Sequence, residues 1–312
     1  RPTLVIDLHS GAERAQKLEL SYLTGGLSWR ADYVANLAPD EKTLDLSGWV
    51  TLTNQSGAAY PNATLQLVAG DLNRVQPRRP SAPMMAMAKM DRAAAAPEMK
   101  EESLFEYHLY TLDHPTTLKE NQTKQVALLS ASGVPVRKEF LLKGDSYYYQ
   151  GSYGDLGDKL KVGVFVEFDN RLESRMGMPL PKGIVRVYKR DSEGRAQFVG
   201  EDSIDHTPKN ELVRLKLGDA FDITARRKQT DYKSLGRQGG WRNVFETAFQ
   251  VELKNAKKEA VTVSVLEPIA GDWEMIEKSH PFTKEAAGMA RFKVEVPAEG
   301  SATLTYRVRA RW

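Results

Sequence analysis

The chain opens into an alternating pattern. Leu27, Trp29, Ala31, Tyr33, Ala35 and Leu37 share one parity, and Arg30, Asp32 and Asn36 the other. Successive side chains of a strand point to opposite faces, so this period of two predicts a strand with one buried face and one wet face. Leu44, Leu46, Val50 and Leu52 repeat the pattern opposite Asp45, Ser47, Thr51 and Thr53. A polar turn at 38–42, with Pro39 near its start, separates the two runs, and Gln55-Ser56-Gly57 ends the second before Leu65-Gln66-Leu67. Runs of this kind joined by short turns predict an antiparallel meander, the unit from which β-sandwiches are built. Upstream, residues 3–8 and 16–24 read as two more short strands, the second carrying Leu18, Leu20 and Tyr22 on one side and ending at Gly25-Gly26.

Residues 74–103 break the pattern. Pro, Ala, Met and charge dominate there, with Met84, Met85, Met87, Met90 and Met99 clustered, so this stretch reads as a mobile insertion or a short helix. Strands resume at 105–111, 124–131 and 134–142, with Gly133 marking a hairpin between the last two. Val162, Val164, Val166 and Phe168 alternate, and strands at 184–190 and 196–200 flank a turn at 191–194. From about residue 218 the order is strand, Asn255, polar turn, the valine strand 261–265, a tight turn at 297–300 and a final strand through Leu304, Tyr306 and Val308. That order is the signature of an immunoglobulin- or fibronectin-like sandwich. The predicted fold class is therefore all-β. Its parts are an N-terminal meander (1–73), the insertion (74–103), a middle β unit packing with the meander (104–217) and a C-terminal immunoglobulin-like sandwich (218–312). A faint internal echo links residues 49–54 with 251–255, each ending in Asn before a polar turn. Asn at a strand end serves the turn backbone, so Asn54 and Asn255 are given no ligand role.

Tyr22-Leu23-Thr24, Leu27-Ser28-Trp29, Tyr33, the run from Leu52 to Gly57 and the closing Leu304-Thr305-Tyr306-Arg307-Val308 carry a resemblance. Together they resemble the DUF4139 family, which also includes proteins labelled mucoidy-inhibitor-like. The resemblance runs over most of the chain. It implies an all-β domain, usually the C-terminal part of a longer bacterial protein, with a periplasmic or secreted location, and it supplies no reaction. Trp29 and Tyr33 share the parity of Leu27, Ala31 and Leu37, which makes them a core folding signature rather than a binding pair.

Composition narrows the function classes. At 312 residues, 41% of them apolar, the chain exceeds one sandwich of roughly 100 residues, so two or three cores are expected. The net charge, 44 − 41 = +3, is too small to argue for nucleic acid or for an anionic membrane surface, and no apolar run approaches the roughly 20 residues of a membrane span. Without cysteine there are no disulfides, thiolate nucleophiles or Cys-ligated zinc. The opening residues read as the start or middle of a strand, with no charged-then-apolar leader, so the chain is taken as a fragment or processed form.

Catalytic patterns do not emerge. His9, His108, His114, His206 and His280 form no HExxH or HxH set, and nucleophile-elbow, SxxK and P-loop signatures are missing from the sequence. No catalytic residue, metal or cofactor is assigned. Two stretches remain as candidate ligand sites. Tyr147-Tyr148-Tyr149 with Tyr153, Asp155 and Asp158 reads either as exposed aromatics for a sugar or peptide, with Tyr148 and Tyr153 outward, or as an edge strand feeding a loop. Arg226, Arg227 and Lys228 open a basic run to Arg242 that reads either as a polyanion site, for an acidic polysaccharide or a lipid head group, or as a solvated hairpin guarding an edge. The methionine cluster offers soft thioether ligands without a supporting His or Cys, and docking of a partner on that segment is the alternative. Three N-x-[ST] sequons, at Asn54, Asn62 and Asn121, are chance in a bacterial chain. The expected function is a non-enzymatic binding or assembly module of the bacterial envelope, with an envelope protein or polysaccharide as partner; the alternative is a hydrolase, carbohydrate-active or otherwise, with a dispersed loop site.

Overall fold

A computed structural model describes residues 19–70 and 99–311, together with Val5, Asp7, His9, Gly11, Ala15 and Lys17. The strand expected at 3–8 falls largely outside the described residues, as do 74–98 with Met84, Met85, Met87 and Met90. The described strands are, in chain order, β1 (Leu27–Leu37), β2 (Thr43–Asn54), β3 (Tyr60–Ala63), β4 (Gln66–Ala69), β5 (Met99–Leu104), β6 (Tyr107–Leu112), β7 (Thr116–Leu118), β8 (Gln122–Pro135), β9 (Arg137–Lys143), β10 (Asp155–Asp169), β11 (Gly183–Arg190), β12 (Ala196–Ile204), β13 (Leu212–Gln238), β14 (Trp241–Asn255), β15 (Val261–Pro268), β16 (Asp272–Lys278), β17 (Phe282–Ala286), β18 (Met289–Val296) and β19 (Gly300–Arg311). Two short 3-10 turns, Ser146–Tyr149 and Leu172–Ser174, are the only helical elements among the described residues. The all-β class holds. No helix among the described residues is long and apolar enough to cross a membrane.

The chain divides into two compact units, one of residues 1–135 and 168–213, the other of 136–167 and 214–312. In the first, a five-stranded sheet runs β12-β11-β1-β2-β8, with the small sheets β4-β6-β5 and β3-β7 beside it in sequence. The β1–β2 meander forms as its alternation predicts, and β1 pairs with β11 in parallel. Tyr33 is fully buried, and its hydroxyl donates to the Pro181 carbonyl at 2.6 Å. Its ring lies against Gly48 of β2 and Gly183 of β11: a Cβ at either would come within 3.0 Å of it. Two glycines therefore make room for the aromatic ring that carries the family resemblance.

Several expectations are corrected here. Residues 19–24 form no strand, and Leu20, Tyr22 and Leu23 are exposed. Leu27 is exposed and Trp29 half-buried, because burial on β1 begins only at Ala31. Asp32, on the expected wet face, is buried. Arg30 at 3.1 Å, Arg186 at 3.2 Å and the Thr51 hydroxyl at 3.2 Å satisfy its carboxylate there. The insertion ends earlier than expected, since Met99–Leu104 is a strand paired with β6. Gly133 is not a hairpin turn. It sits inside β8 with φ 65°, where the pairing with β2 shifts register, and its N–H donates to the Asp45 carboxylate at 2.8 Å.

The second unit carries one sheet in the order β16-β19-β14-β13-β10-β9-β15-β18-β17. The sheet folds over its own core. Phe292 of β18 stacks on Tyr306 of β19 at 5.2 Å although those strands do not pair, and Tyr306 stacks on Phe249 at 5.3 Å. The two edges also meet: the Trp273 indole of β16 donates to the Ala287 carbonyl at 2.7 Å and lies 5.9 Å from the Phe282 ring of β17. The result is a two-layered sandwich, but it is not contained in residues 218–312. β9 and β10, expected in the middle block, complete it, and β9 pairs with β15 in parallel from Val263↔Phe140 to Leu266↔Lys143. Alternation identifies strands, whereas partners this far apart in sequence leave no local mark.

The sequence echo is a structural repeat. The Asn54 amide donates to the carbonyls of Ala58 at 2.8 Å and Lys119 at 3.0 Å, and its Oδ1 accepts from the Ser56 N–H at 3.1 Å. The Asn255 amide donates to those of Glu259 at 2.8 Å and Pro297 at 3.0 Å, and its Oδ1 accepts from the Lys257 N–H at 3.0 Å. Leu27↔Asn54↔Gln122 on β1-β2-β8 matches Ile223↔Asn255↔Gly300 on β13-β14-β19.

Candidate functional site

The two sequence candidates converge in the second unit. Gly144 leads out of β9, its N–H donating to the Leu266 carbonyl at 2.8 Å. The Asp145 carboxylate then accepts from the Tyr147 N–H and starts a 3-10 turn, Ser146–Tyr149. Three residues per turn place the tyrosines differently from a strand. Tyr148 and Tyr149 are buried, while Tyr147 and Tyr153 are about 44% and 45% exposed. The outward placing of Tyr148 is thus corrected, and Tyr147 takes its place. Tyr147 and Tyr153 meet edge to face at 5.4 Å.

β13 anchors the loop. Gln229 Oε1 accepts from the Tyr153 N–H at 2.7 Å, and its amide donates to the Gly151 carbonyl at 2.8 Å and the Thr247 hydroxyl at 2.9 Å. The Gln229 N–H donates to the Gly154 carbonyl at 2.7 Å. On the opposite, exposed parity, the Arg226 guanidinium holds both Asp155, at 2.9 Å, and Asp158, at 2.7 Å. Lys228 shares that exposed parity. The Arg226 hydrogen bond holds the Asp155 carboxyl below its usual range.

Arg227 does not belong to this surface. It is fully buried, with Ile223 and Ala225, because the parity of β13 turns it inward. Its Nη2 meets Glu267 Oε1 of β15 at 2.6 Å, and its guanidinium lies 4.9 Å over the Tyr148 ring. The Tyr149 hydroxyl donates to Glu267 Oε2 at 2.8 Å and sits 3.0 Å from the Tyr306 hydroxyl. Burial pushes the Glu267 carboxyl up, and Arg227 with the two phenols pulls it back. Burial likewise opposes the Arg227 charge, which the facing carboxylate more than restores. A Cβ at Gly144 would fall 2.2 Å from Glu267 Oε2 and 2.6 Å from Arg227 Nη1, so glycine is required where the loop departs over the pair. This closed ion pair between the layers fixes the base of the loop, and its members are withdrawn from solvent.

Sequence reasoning missed Glu267 and Gln229, and mislaid Arg227. The signal was available: Glu267 continues the inward parity of Val261, Val263 and Val265, as Arg227 and Gln229 continue that of Ile223 and Ala225. Opposite charges at inward positions of two strands mark a buried pair.

A pinned loop presenting two tyrosines beside a neutralised charge cluster, on a sandwich unit, defines an all-β protein with a preformed surface patch. The chain belongs to the DUF4139 family, a domain of unknown function whose model matches residues 18–312. No curated protein matches it.

Proposed function

We propose that the chain is a non-enzymatic binding module of the bacterial envelope or exterior, and that the loop through Tyr147 and Tyr153 takes a polysaccharide chain. One observation carries this reading: two half-exposed phenol rings are held edge to face on a loop whose backbone Gln229 fixes at several points. Tyrosine offers an apolar ring face to sugar C–H groups and a hydroxyl to their polar edge, and a preordered loop loses little entropy on binding. The envelope location rests on the family resemblance alone.

The hydrolase alternative loses support at the same place. A glycosidase needs one carboxyl kept protonated as general acid and a second kept ionised. Asp155 and Asp158 share a single guanidinium, and Asp155 is held on the ionised side.

Affinity electrophoresis through gels containing neutral or acidic soluble polysaccharides tests the proposal. The wild-type chain is expected to be retarded in one of them, and a Tyr147→Ala/Tyr153→Ala variant with an unchanged melting curve to run free. Equal retardation of the variant, or no retardation in any gel, overturns it. Release of new reducing ends from the polysaccharide turns the case to the hydrolase.

A further inference from the structure

β13 and β14 run on past their core as a two-stranded arm. Their pairing continues to Gln238↔Trp241. Gly239 and Gly240 close the arm with φ 55° and 87°, the two positive values that a tight hairpin turn of matching twist requires. In the first unit the matching strands β1 and β2 are closed by the turn at 38–42, while here residues 234–243 extend outward. Every residue from 236 to 243 is exposed.

The arm is ordered by chemistry from tip to base. Trp241 stands at the tip, 38% exposed. Arg237 and Arg242 follow directly behind it, and neither makes an ion pair among the described residues. Residues 232–245 contain no Asp or Glu, while Lys233 lies further back beside Asp231 at 3.5 Å. Tyr232 stacks on Phe245 at 5.6 Å and stiffens the base. A core-facing hairpin would turn Trp241 inward, and one built only for solubility would not put an indole at its end.

We propose that this arm docks on an anionic lipid bilayer, with the Trp241 indole entering the interface and Arg237 and Arg242 meeting the headgroups. Indoles favour the membrane–water boundary, and cations immediately behind such a ring lie at headgroup depth. Nearer the core, arginines of the neighbouring strand sit in ion pairs, Arg309 with Glu246 and Arg307 with Asp231. The contact is peripheral and involves no membrane span. The tyrosine loop borders the base of the arm, where Tyr153 acts on Tyr232, but the tip residues belong to the arm alone and their role does not depend on a polysaccharide binding at the loop.

Vesicle sedimentation of the whole chain decides it, with vesicles of phosphatidylcholine alone and of equal parts phosphatidylcholine and phosphatidylglycerol. The chain is expected to sediment with the anionic vesicles only, and to be released by salt. Removing both charges in Arg237→Gln/Arg242→Gln should weaken binding about 25-fold, since each cation near an anionic surface contributes about a fivefold factor. Bromine-labelled acyl chains should quench the wild-type fluorescence, and Trp241→Ala should lose that quenching while keeping the same thermal unfolding. The proposal is overturned if the wild type fails to sediment, if the double variant binds as the wild type does, or if quenching persists without Trp241. Retention on heparin or DNA without vesicle binding also overturns it and assigns the arm to a soluble polyanion.

Discussion

Asn255→Ala tests the repeated amide clamp most directly. The substitution deletes two donors, to the carbonyls of Glu259 and Pro297, and the acceptor for the Lys257 N–H. Asn255 is buried, so the stranded groups are only partly rehydrated. A buried polar group left without its partner costs about 1–3 kcal/mol, so three stranded groups, partly rehydrated by water reaching the turn, leave a net loss of about 2–4 kcal/mol. Asn54→Ala should lose at least as much in the first unit, because the three matching bonds have the same lengths to within 0.1 Å and its Oδ1 also accepts from the Ser56 hydroxyl at 2.8 Å. Asn255→Asp separates the clamp from simple packing. It keeps the acceptor but sets a carboxylate oxygen against two carbonyl oxygens, so at neutral pH it should be less stable than the Ala variant and recover as acid protonates it. Urea unfolding followed by circular dichroism gives the free energies, and hydrogen-exchange mass spectrometry assigns each loss to residues 214–312 or to residues 19–70. Since the two clamps share no partner, the double variant should sum the single losses within about 0.5 kcal/mol. An Ala variant within about 0.5 kcal/mol of wild type, the ordinary range of a surface substitution, refutes the clamp, as does an Asp variant no worse than Ala.

Acid should act on the first unit through Asp32. Burial alone would raise its pKa, but hydrogen bonds and charge from Arg30 and Arg186 outweigh burial and hold it below the ordinary 3.8. A carboxyl lowered on folding contributes stability above its unfolded value and loses it as pH falls through the folded one. The urea midpoint of the wild type should therefore drop below a pH of about 4 more steeply than that of Asp32→Asn, and equal slopes would discard this role. Gly183→Ala should destabilise by about 1–3 kcal/mol, because its Cβ would fall 2.4 Å from the Ala31 carbonyl oxygen and 2.9 Å from the Tyr33 ring. Gly25→Ala, with open space around it, is the control, and equal melting of the two would remove the argument. The tyrosine-loop and arm variants complete the set through gel retardation and vesicle sedimentation.

Local physics wrote much of this fold into the sequence. The alternation at 27–37 and 44–52 located β1 and β2, the polar turns located their ends, and Asn54 and Asn255 marked a repeat. What alternation cannot carry is partnership. β9 joins β15 in parallel across more than a hundred residues, so the boundary drawn at 218 missed the strands that complete the sandwich. Nor can it show compensation: Asp32 reads as wet until Arg30, Arg186 and Thr51 are brought to it from three strands. The tyrosine stretch failed for another reason. A 3-10 turn, nucleated by the short side chain of Asp145, overrode the strand period and exchanged the places of Tyr147 and Tyr148.

The repeat also separates what folding needs from what it does not. The order β12-β11-β1-β2-β8 in one unit is answered by β9-β10-β13-β14-β19 in the other, with the Asn clamp at the same register and the following N–H bonded in both cases, Gln55 to the Gly26 carbonyl and Ala256 to that of Asp222. Where β11 turns into β12 through residues 191–195, β9 reaches β10 through the longer stretch that carries Tyr147 and Tyr153. Where β1 turns into β2 within 38–42, β13 and β14 extend to Gly239-Gly240. Both elaborations fall on the same unit, add little to its core and order many residues at a cost of about 1–2 kcal/mol each in backbone entropy. Gln229 and Arg226 offset that cost at the loop, and the Tyr232–Phe245 stack does so at the arm. A sandwich core gains nothing from holding an exposed phenol pair and an exposed indole in fixed positions. These groups are where an activity of this chain should be sought, and the shorter turns of the first unit serve as its internal control.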